Sequence, residues 1–243
     1  LQFFTDFSKF VRSHRSECFA LLGIVAISFI LRLVLISSHP FPWSGDEASI
    51  GIEGRRILYG EVTNLFNTGW YGQPNWSFVS TALSIKTFGE NLFALRLPSV
   101  LSGTFSVFFL YLLTRELFGK RTAFLAGLFL AAFPFHLHFS RIGINNINPS
   151  LMICLVLWLI FFAIRKEKIL LFALAGIATG LTFYTYVGTR FVLGIAGLVF
   201  LYAVVRSRGY IRKHLSHLGI FGLGLFVAIA PMMFFFVDNP DLF

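Results

Sequence analysis

Charge is scarce in this sequence. Charged residues make up only 13% of 243 positions, and Asp and Glu together number 11. Apolar residues reach 56%, against roughly 45–50% in an ordinary soluble domain, and the mean hydropathy is +0.78. The few charges cluster, leaving several stretches that each supply the roughly 20 apolar residues of a bilayer-spanning helix. A soluble protein is thereby excluded. Cysteine is scarcer still. Cys18 and Cys154 lie far apart in apolar runs, with no metal-ligand or disulfide spacing. Repeats of the soluble type and low-complexity tracts are missing as well.

The apolar runs predict an all-α, polytopic membrane bundle of seven spanning helices: Glu17–Ile36, Leu92–Leu113, Thr122–Phe139, Ile147–Ile164, Ile169–Tyr186, Phe191–Val205 and Leu215–Val237. The net charge of +9 does not imply nucleic acid, because the basic residues fall in short clusters between hydrophobic runs rather than in one patch. Such clusters set topology. Lys9, Arg12, Arg15, Arg115, Lys120, Arg121, Arg165, Lys166, Lys168, Arg206, Arg208, Arg212 and Lys213 fall on one side. Arg55, Arg56, Lys86, Arg96, Arg141 and Arg190 fall on the other, and Arg32 lies within the first run. Basic loops stay in the cytoplasm, so the N-terminus is expected inside and the long loop 37–91 outside. The seven runs and this loop read as one module over residues 1–243, with a C-terminal remainder expected beyond Phe243.

The loop carries structure of its own. Ile50, Gly54, Ile57 and Leu58 recur at helical spacing, as do Phe78, Ala82 and Ile85. Each stretch is too short to span, so each is expected as an interfacial helix with one face in lipid. Leu65–Trp76, rich in Gly, Asn and aromatics, suits a folded connection, and Asn75-Trp76-Ser77 matches a glycosylation sequon.

Chemistry points to Pro40-Phe41-Pro42-Trp43-Ser44-Gly45-Asp46-Glu47. Two prolines and a glycine end the first helix, and the only adjacent acidic pair follows at once. Ser44 or Asp46 can cap the next helix; equally, a carboxylate at the membrane surface can act as general base toward a hydroxyl. Arg96 sits among apolar residues in Leu95-Arg96-Leu97-Pro98, where an arginine costs a few kcal/mol unless paired or snorkelling. It can pair with Asp46 or with a phosphate, which guanidinium binds bidentately. Arg141 and Arg190 follow the third and fifth runs, so with Arg96 they form a cationic ring able to hold an anionic lipid head. Tyr184 and Tyr186 precede Arg190 at belt depth. His136 and His138, at i, i+2, lie on different helix faces, unlike the i, i+4 pair of a helical zinc site. Asn145, Asn146 and Asn148-Pro149 suit the start of the fourth helix. Arg32 is expected to snorkel or to pair inside the bundle.

An acidic pair in the first outer loop, two interfacial helices and a helix entered through Arg-Leu-Pro together resemble the GT-C membrane glycosyltransferases. The pattern is similar to the family-39-like protein O-mannosyltransferases and lipid A aminoarabinose transferases. Gly69-Trp70-Tyr71-Gly72-Gln73-Pro74, Leu92-Phe93-Ala94-Leu95-Arg96-Leu97-Pro98 and Phe139-Ser140-Arg141-Ile142-Gly143 carry the likeness. The resemblance implies a bacterial inner-membrane enzyme taking sugar from a polyprenyl-phosphate donor to a lipid, glycan or protein acceptor on the extracytoplasmic face. It implies Asp46 as the base with Glu47 beside it, and Arg96 near the donor phosphate, joined by Arg141 and Arg190. Gln73, Tyr184, Tyr186 and Asn148 are implied as a substrate loop. Gln73 stands where the aminoarabinose transferases carry a lysine, and Asn148 where many relatives carry an aspartate; a neutral amide there weakens a divalent-metal site. No other cofactor is implied. A transporter or flippase of a lipid-linked sugar is the alternative. Such proteins place charge near the bilayer midplane in repeated halves, a pattern this sequence does not show.

Overall fold

The computed structural model describes residues 15–41, 43–206 and 210–240. Lys9, Arg12 and Arg208 of the basic clusters, and Pro42 of the acidic-pair segment, lie outside the described residues. Helices dominate: α1 (Arg15–Leu33), α2 (Gly45–Leu58), α3 (Val79–Phe88), α4 (Leu92–Phe118), α5 (Lys120–Ala132), α6 (Pro134–Phe139), α7 (Asn148–Lys166), α8 (Ile169–Leu181), α9 (Phe191–Arg206) and α10 (Tyr210–Asp238). The all-α membrane bundle expected from the sequence is what forms.

Five stretches among the described residues are long and apolar enough to cross a bilayer: α1, α4, Asn145–Lys166, Val187–Arg206 and His214–Asp238. The third and fifth expected spans differ. The third breaks into α5 and α6 at Phe133, whose φ/ψ of −63°/117° is extended. Pro134 is the cause: it has no N–H to continue the ladder and drives the preceding residue out of the helical region. The fifth is α8 prolonged by one 3₁₀ turn, Thr182–Tyr184, a shorter apolar helix ending at Tyr184.

Each boundary has a local cause. Asn91 caps α4, its side chain accepting from the Ala94 amide at 2.9 Å. Gly119, at φ 85°, ends α4 and turns the chain straight into α5; glycine reaches that region without steric cost. Pro149 occupies the first turn of α7, where its missing N–H would have had no partner anyway.

Packing falls into three clusters. Ile24 of α1, Val107 and Tyr111 of α4, and Ala123 and Ala131 of α5 form one. Val156 and Ile160 of α7, Phe172 and Ala175 of α8, Val192 of α9 and Phe221 of α10 anchor a second. There α8 and α10 nearly touch along Gly176 and Gly180: a Cβ added at Gly176 would stand 2.1 Å from the Phe221 carbonyl oxygen. Small residues four apart permit such backbone approach between membrane helices. The third cluster, Ile50, Phe78 and Ile144 with Ile57, Leu95 and Ile142 around them, seats the loop helices on the bundle.

That cluster corrects one expectation. The apolar stripes of α2 and α3 face the protein, not lipid: Ile50, Phe78, Ala82 and Ile85 are buried, and a Cβ on Gly54 would meet Thr81 Cγ2 at 2.9 Å. At the opposite end of the bundle from this loop, Glu17 of α1 pairs with Arg115 of α4, and Glu116 with Arg165 of α7 at 2.5 Å.

Candidate active site

The site grows from the first turn of α2. Ser44 caps it, and the box is closed both ways: the Ser44 hydroxyl accepts from the Glu47 amide at 3.3 Å, and Glu47 Oε2 accepts from the Ser44 amide at 3.3 Å. Ser followed three residues later by Glu is the sequence signature of that device, so Ser44 rather than Asp46 is the cap.

The reciprocal cap turns Glu47 inward and Asp46 outward. Glu47 is 1% exposed and Arg96 fully buried. Arg96 Nε donates to Glu47 Oε1 at 2.7 Å and its Nη2 to Oε2 at 3.0 Å. The rest of the guanidinium donates to the Ile36 carbonyl at 2.9 Å and the Pro40 carbonyl at 3.1 Å, while the Gly143 amide donates to Glu47 Oε1 at 2.7 Å. Burial by itself pushes the Glu47 carboxyl up, but the Arg96 guanidinium and the Gly143 and Ser44 amides outweigh it and hold the group below the usual carboxylate range. A buried pair with every lone pair satisfied is tightly coupled to its frame. The partner of Arg96 is therefore Glu47, not Asp46, and the guanidinium is spent on protein acceptors. Asp46 is exposed and has no hydrogen-bonding or ion-pair partner among the described residues.

The other arginines separate in the same way. Arg141 donates to the Leu31 and Val34 carbonyls at 2.6 and 2.7 Å, closing the end of α1. Arg190 is different. Its Nε is buried without a partner, and the residue lines a cleft of about 770 Å³ with Thr68, Phe183, Met232, Met233 and Phe236. The three arginines thus do not form one ring; of the three, Arg190 alone lines this cleft.

The expected substrate-loop residues are also dispersed. Gln73 is buried, its Oε1 accepting from Asn145 Nδ2 at 2.9 Å. Tyr184 donates to the Ala228 carbonyl at 2.7 Å, with its ring against Phe66 and Trp76. Tyr186 caps the 3₁₀ turn Val187–Arg190 together with Thr189. Asn148 Oδ1 accepts from Ser102 at 3.0 Å. The Asn148 amide is occupied and uncharged, and no group of three His, Cys, Asp or Glu side chains converges among the described residues, so the donor set does not fit a divalent ion. His136 is buried against Arg32, while His138 is exposed. Asn75 is only 4% exposed, which leaves no room for a glycan on its side chain.

Sequence reasoning missed the cleft wall from α10 and the Gly143 amide. Met232, Met233 and Phe236 look like any apolar helix, and a backbone donor leaves no side-chain signal. The Ser44–Glu47 spacing was a usable signal for the role of Glu47.

The architecture is that of a GT-C polytopic bundle. ArnT from Cupriavidus metallidurans, in its crystal structure bound to undecaprenyl phosphate, superposes with a TM-score of 0.71 at 17% identity, covering 91% of this chain and 42% of that one. The chain belongs to the dolichyl-phosphate-mannose-protein mannosyltransferase family, whose model matches residues 74–235. YkcB of Bacillus subtilis is 29% identical over 169 residues, 69% of this chain and 23% of YkcB. The undecaprenyl phosphate-alpha-4-amino-4-deoxy-L-arabinose arabinosyl transferase of Pseudomonas aeruginosa is 30% identical over 183 residues, 71% of this chain and 32% of that enzyme. The chain therefore spans about a quarter to a third of the length of these relatives.

Proposed function

We propose that this chain is the membrane module of a glycosyltransferase that moves a sugar from a polyprenyl-phosphate donor to a hydroxyl acceptor, on the extracytoplasmic face of a bacterial inner membrane. The observation that carries the reading is the division of labour in the acidic pair. Glu47 is locked to Arg96 and Gly143, which fixes the turn on which Asp46 stands exposed. An anchored turn bearing one unengaged carboxylate is what a general base needs.

The cleft supplies the second element. Its walls are largely apolar, suited to an isoprenoid chain, and Arg190 stands in them with no partner among the described residues. Thr68 and Gly72 line the same cleft, so the loop that carries α2 also walls the donor site. Family membership and the likeness to proteins named for undecaprenyl-phosphate substrates support the choice of donor class.

The proposed reaction joins these parts, with the donor's sugar reaching from the cleft to Asp46. The acceptor oxygen attacks the anomeric carbon as the bond from that carbon to the phosphate oxygen breaks. The acceptor proton passes to the Asp46 carboxylate, and the departing phosphate keeps the bonding pair. Arg190 stabilises charge growing on the phosphate; the carboxylate face stabilises positive charge on the sugar ring. One in-line displacement inverts the anomeric configuration. Arg96 acts here as the partner that places Glu47, not as a phosphate ligand.

The test is transfer from a panel of polyprenyl-phosphate sugars in proteoliposomes, with products identified by mass spectrometry. Asp46→Asn is expected to lower kcat by about 10²–10⁴-fold, the usual worth of a positioned base, with expression unchanged. Activity within threefold of wild type would remove Asp46 from the role. An NMR coupling showing a retained anomeric configuration would exclude the single displacement.

A further inference from the structure

The buried arginine of α1 belongs to no part of the site described above. Arg32 is fully buried among apolar helices, and its guanidinium meets no carboxylate among the described residues. An arginine in that setting is costly unless its donors are taken up. Its Nε has no partner among the described residues, but both terminal nitrogens find specific acceptors. Nη1 donates to Ser28 Oγ at 2.7 Å, to the Ser28 carbonyl at 2.9 Å and to the Ala131 carbonyl at 3.2 Å; Nη2 approaches the Leu130 carbonyl at 3.4 Å and His136 Nδ1 at 2.8 Å. Leu130 and Ala131 lie in the last turn of α5, which ends at Ala132 before the proline break, and Pro134 has no N–H to offer Leu130. Arg32 replaces the missing donors. Because a guanidinium has no lone pair to share, His136 must accept at Nδ1, leaving Nε2–H to donate to Ser150 Oγ at 3.1 Å.

A reciprocal cap lies one turn away. Arg141, just beyond α6, donates to the Leu31 and Val34 carbonyls at the end of α1. Each helix end thus receives an arginine from the other strand of chain, and α6 is held between them, with Ser140 Oγ closing onto the His136 carbonyl at 2.6 Å. Two residues beyond Arg141, the Gly143 amide meets Glu47.

From this geometry we infer that Arg32 is a positioning residue for the acidic turn: with Arg141 it clamps the broken helix so that segment 140–143 presents its backbone amide to Glu47 and thereby aims Asp46. The kinetic half of this rests on the transferase reading above; the structural half does not. A displacement of about 1 Å in a catalytic group costs on the order of 10²-fold in rate, so losing the clamp acts on kcat. Donor binding at the Arg190 cleft is formed by other residues and is spared.

The experiment compares Arg32→Gln and Arg32→Lys with wild type in nanodiscs, by steady-state kinetics and by hydrogen–deuterium exchange. Expected for Arg32→Gln is a kcat lower by about tenfold or more with donor KM within about twofold, and faster exchange in residues 140–147 and 44–50. Arg32→Lys, which keeps donors in the break, is expected to recover most of both. If Arg32→Gln does not accumulate, Ser28→Ala removes one acceptor and is expected to raise exchange in 140–147 alone among the loops. Unchanged exchange at 140–147, a change confined to KM, or a lysine variant no better than glutamine would overturn the inference. If the wild type transfers no sugar from any donor in the panel, the transferase reading fails, while the exchange pattern still decides whether Arg32 holds the segment.

Discussion

Two neighbouring carboxylates take opposite fates at residue scale. Glu47 and Asp46 differ by one step on a helix, yet one is sealed with Arg96 and the other stays in the open. Glu47→Gln leaves Arg96 as an uncompensated buried charge, expected to destabilise by about 3–5 kcal/mol; Asp46→Asn is expected to change stability by less than about 0.5 kcal/mol. Thermal unfolding in detergent separates the two. Combining Glu47→Gln with Arg96→Met should cost less than the sum of the single changes, because the second removes the charge that the first stranded. The pH response has a definite sign. The folded-state pKa of Glu47 lies below its unfolded value, so its contribution is complete above about pH 4.5 and is lost as pH falls through the lower folded value. A melting temperature that drops more on acidification in wild type than in Glu47→Gln/Arg96→Met is the expected result, the remaining ion pairs such as Glu53–Arg56 being common to both.

At the scale of elements, a helix is held here by whatever takes up its end groups. Pro134 breaks α5 from α6, Gly119 reverses α4 into α5, and arginines from elsewhere complete the orphan carbonyls. The close approaches are equally particular. Gly176→Leu would drive a side chain into the α10 backbone at Phe221. Overpacking of this kind costs typically 1–3 kcal/mol, and α10 walls the Arg190 cleft through Met232 and Met233. Gly176→Leu is therefore expected to lower thermal stability and raise donor KM together. Gly194→Leu, at a position where a Cβ meets nothing within 4 Å, serves as the neutral control. Helical spacing revealed α2 and α3 but not which way their apolar faces turn, since lipid and a protein groove ask for the same periodicity.

The whole molecule is an apolar bundle with its loop helices seated on one end. Orientation in the membrane is the property its basic clusters set: the proposed topology puts loop 37–91 outside. Glu61, exposed on that loop, supplies the test. A Glu61→Cys variant is expected to react with a membrane-impermeant maleimide added to intact cells, and labelling seen only after lysis would reverse the orientation. Charge asymmetry was readable because it is a sum over loops, insensitive to where any one side chain points.

Composition and periodicity alone determined that this chain is a helical membrane protein, and the residue pattern located its acidic turn and its family likeness. Those are local properties, carried by runs of about 20 residues and by spacings of three or four. Tertiary structure decided which groups are free. Arg96 meets Glu47 across 49 positions and Arg141 meets Leu31 across 110, so no window of sequence contains either pair. A cationic residue in a lipid-depth segment needs acceptors, and the fold chooses between a ligand and its own carbonyls. For Arg32, Arg96 and Arg141 it chose the protein's own acceptors, backbone carbonyls with Ser28, His136 and Glu47; it left Asp46 exposed and Arg190 in the cleft wall.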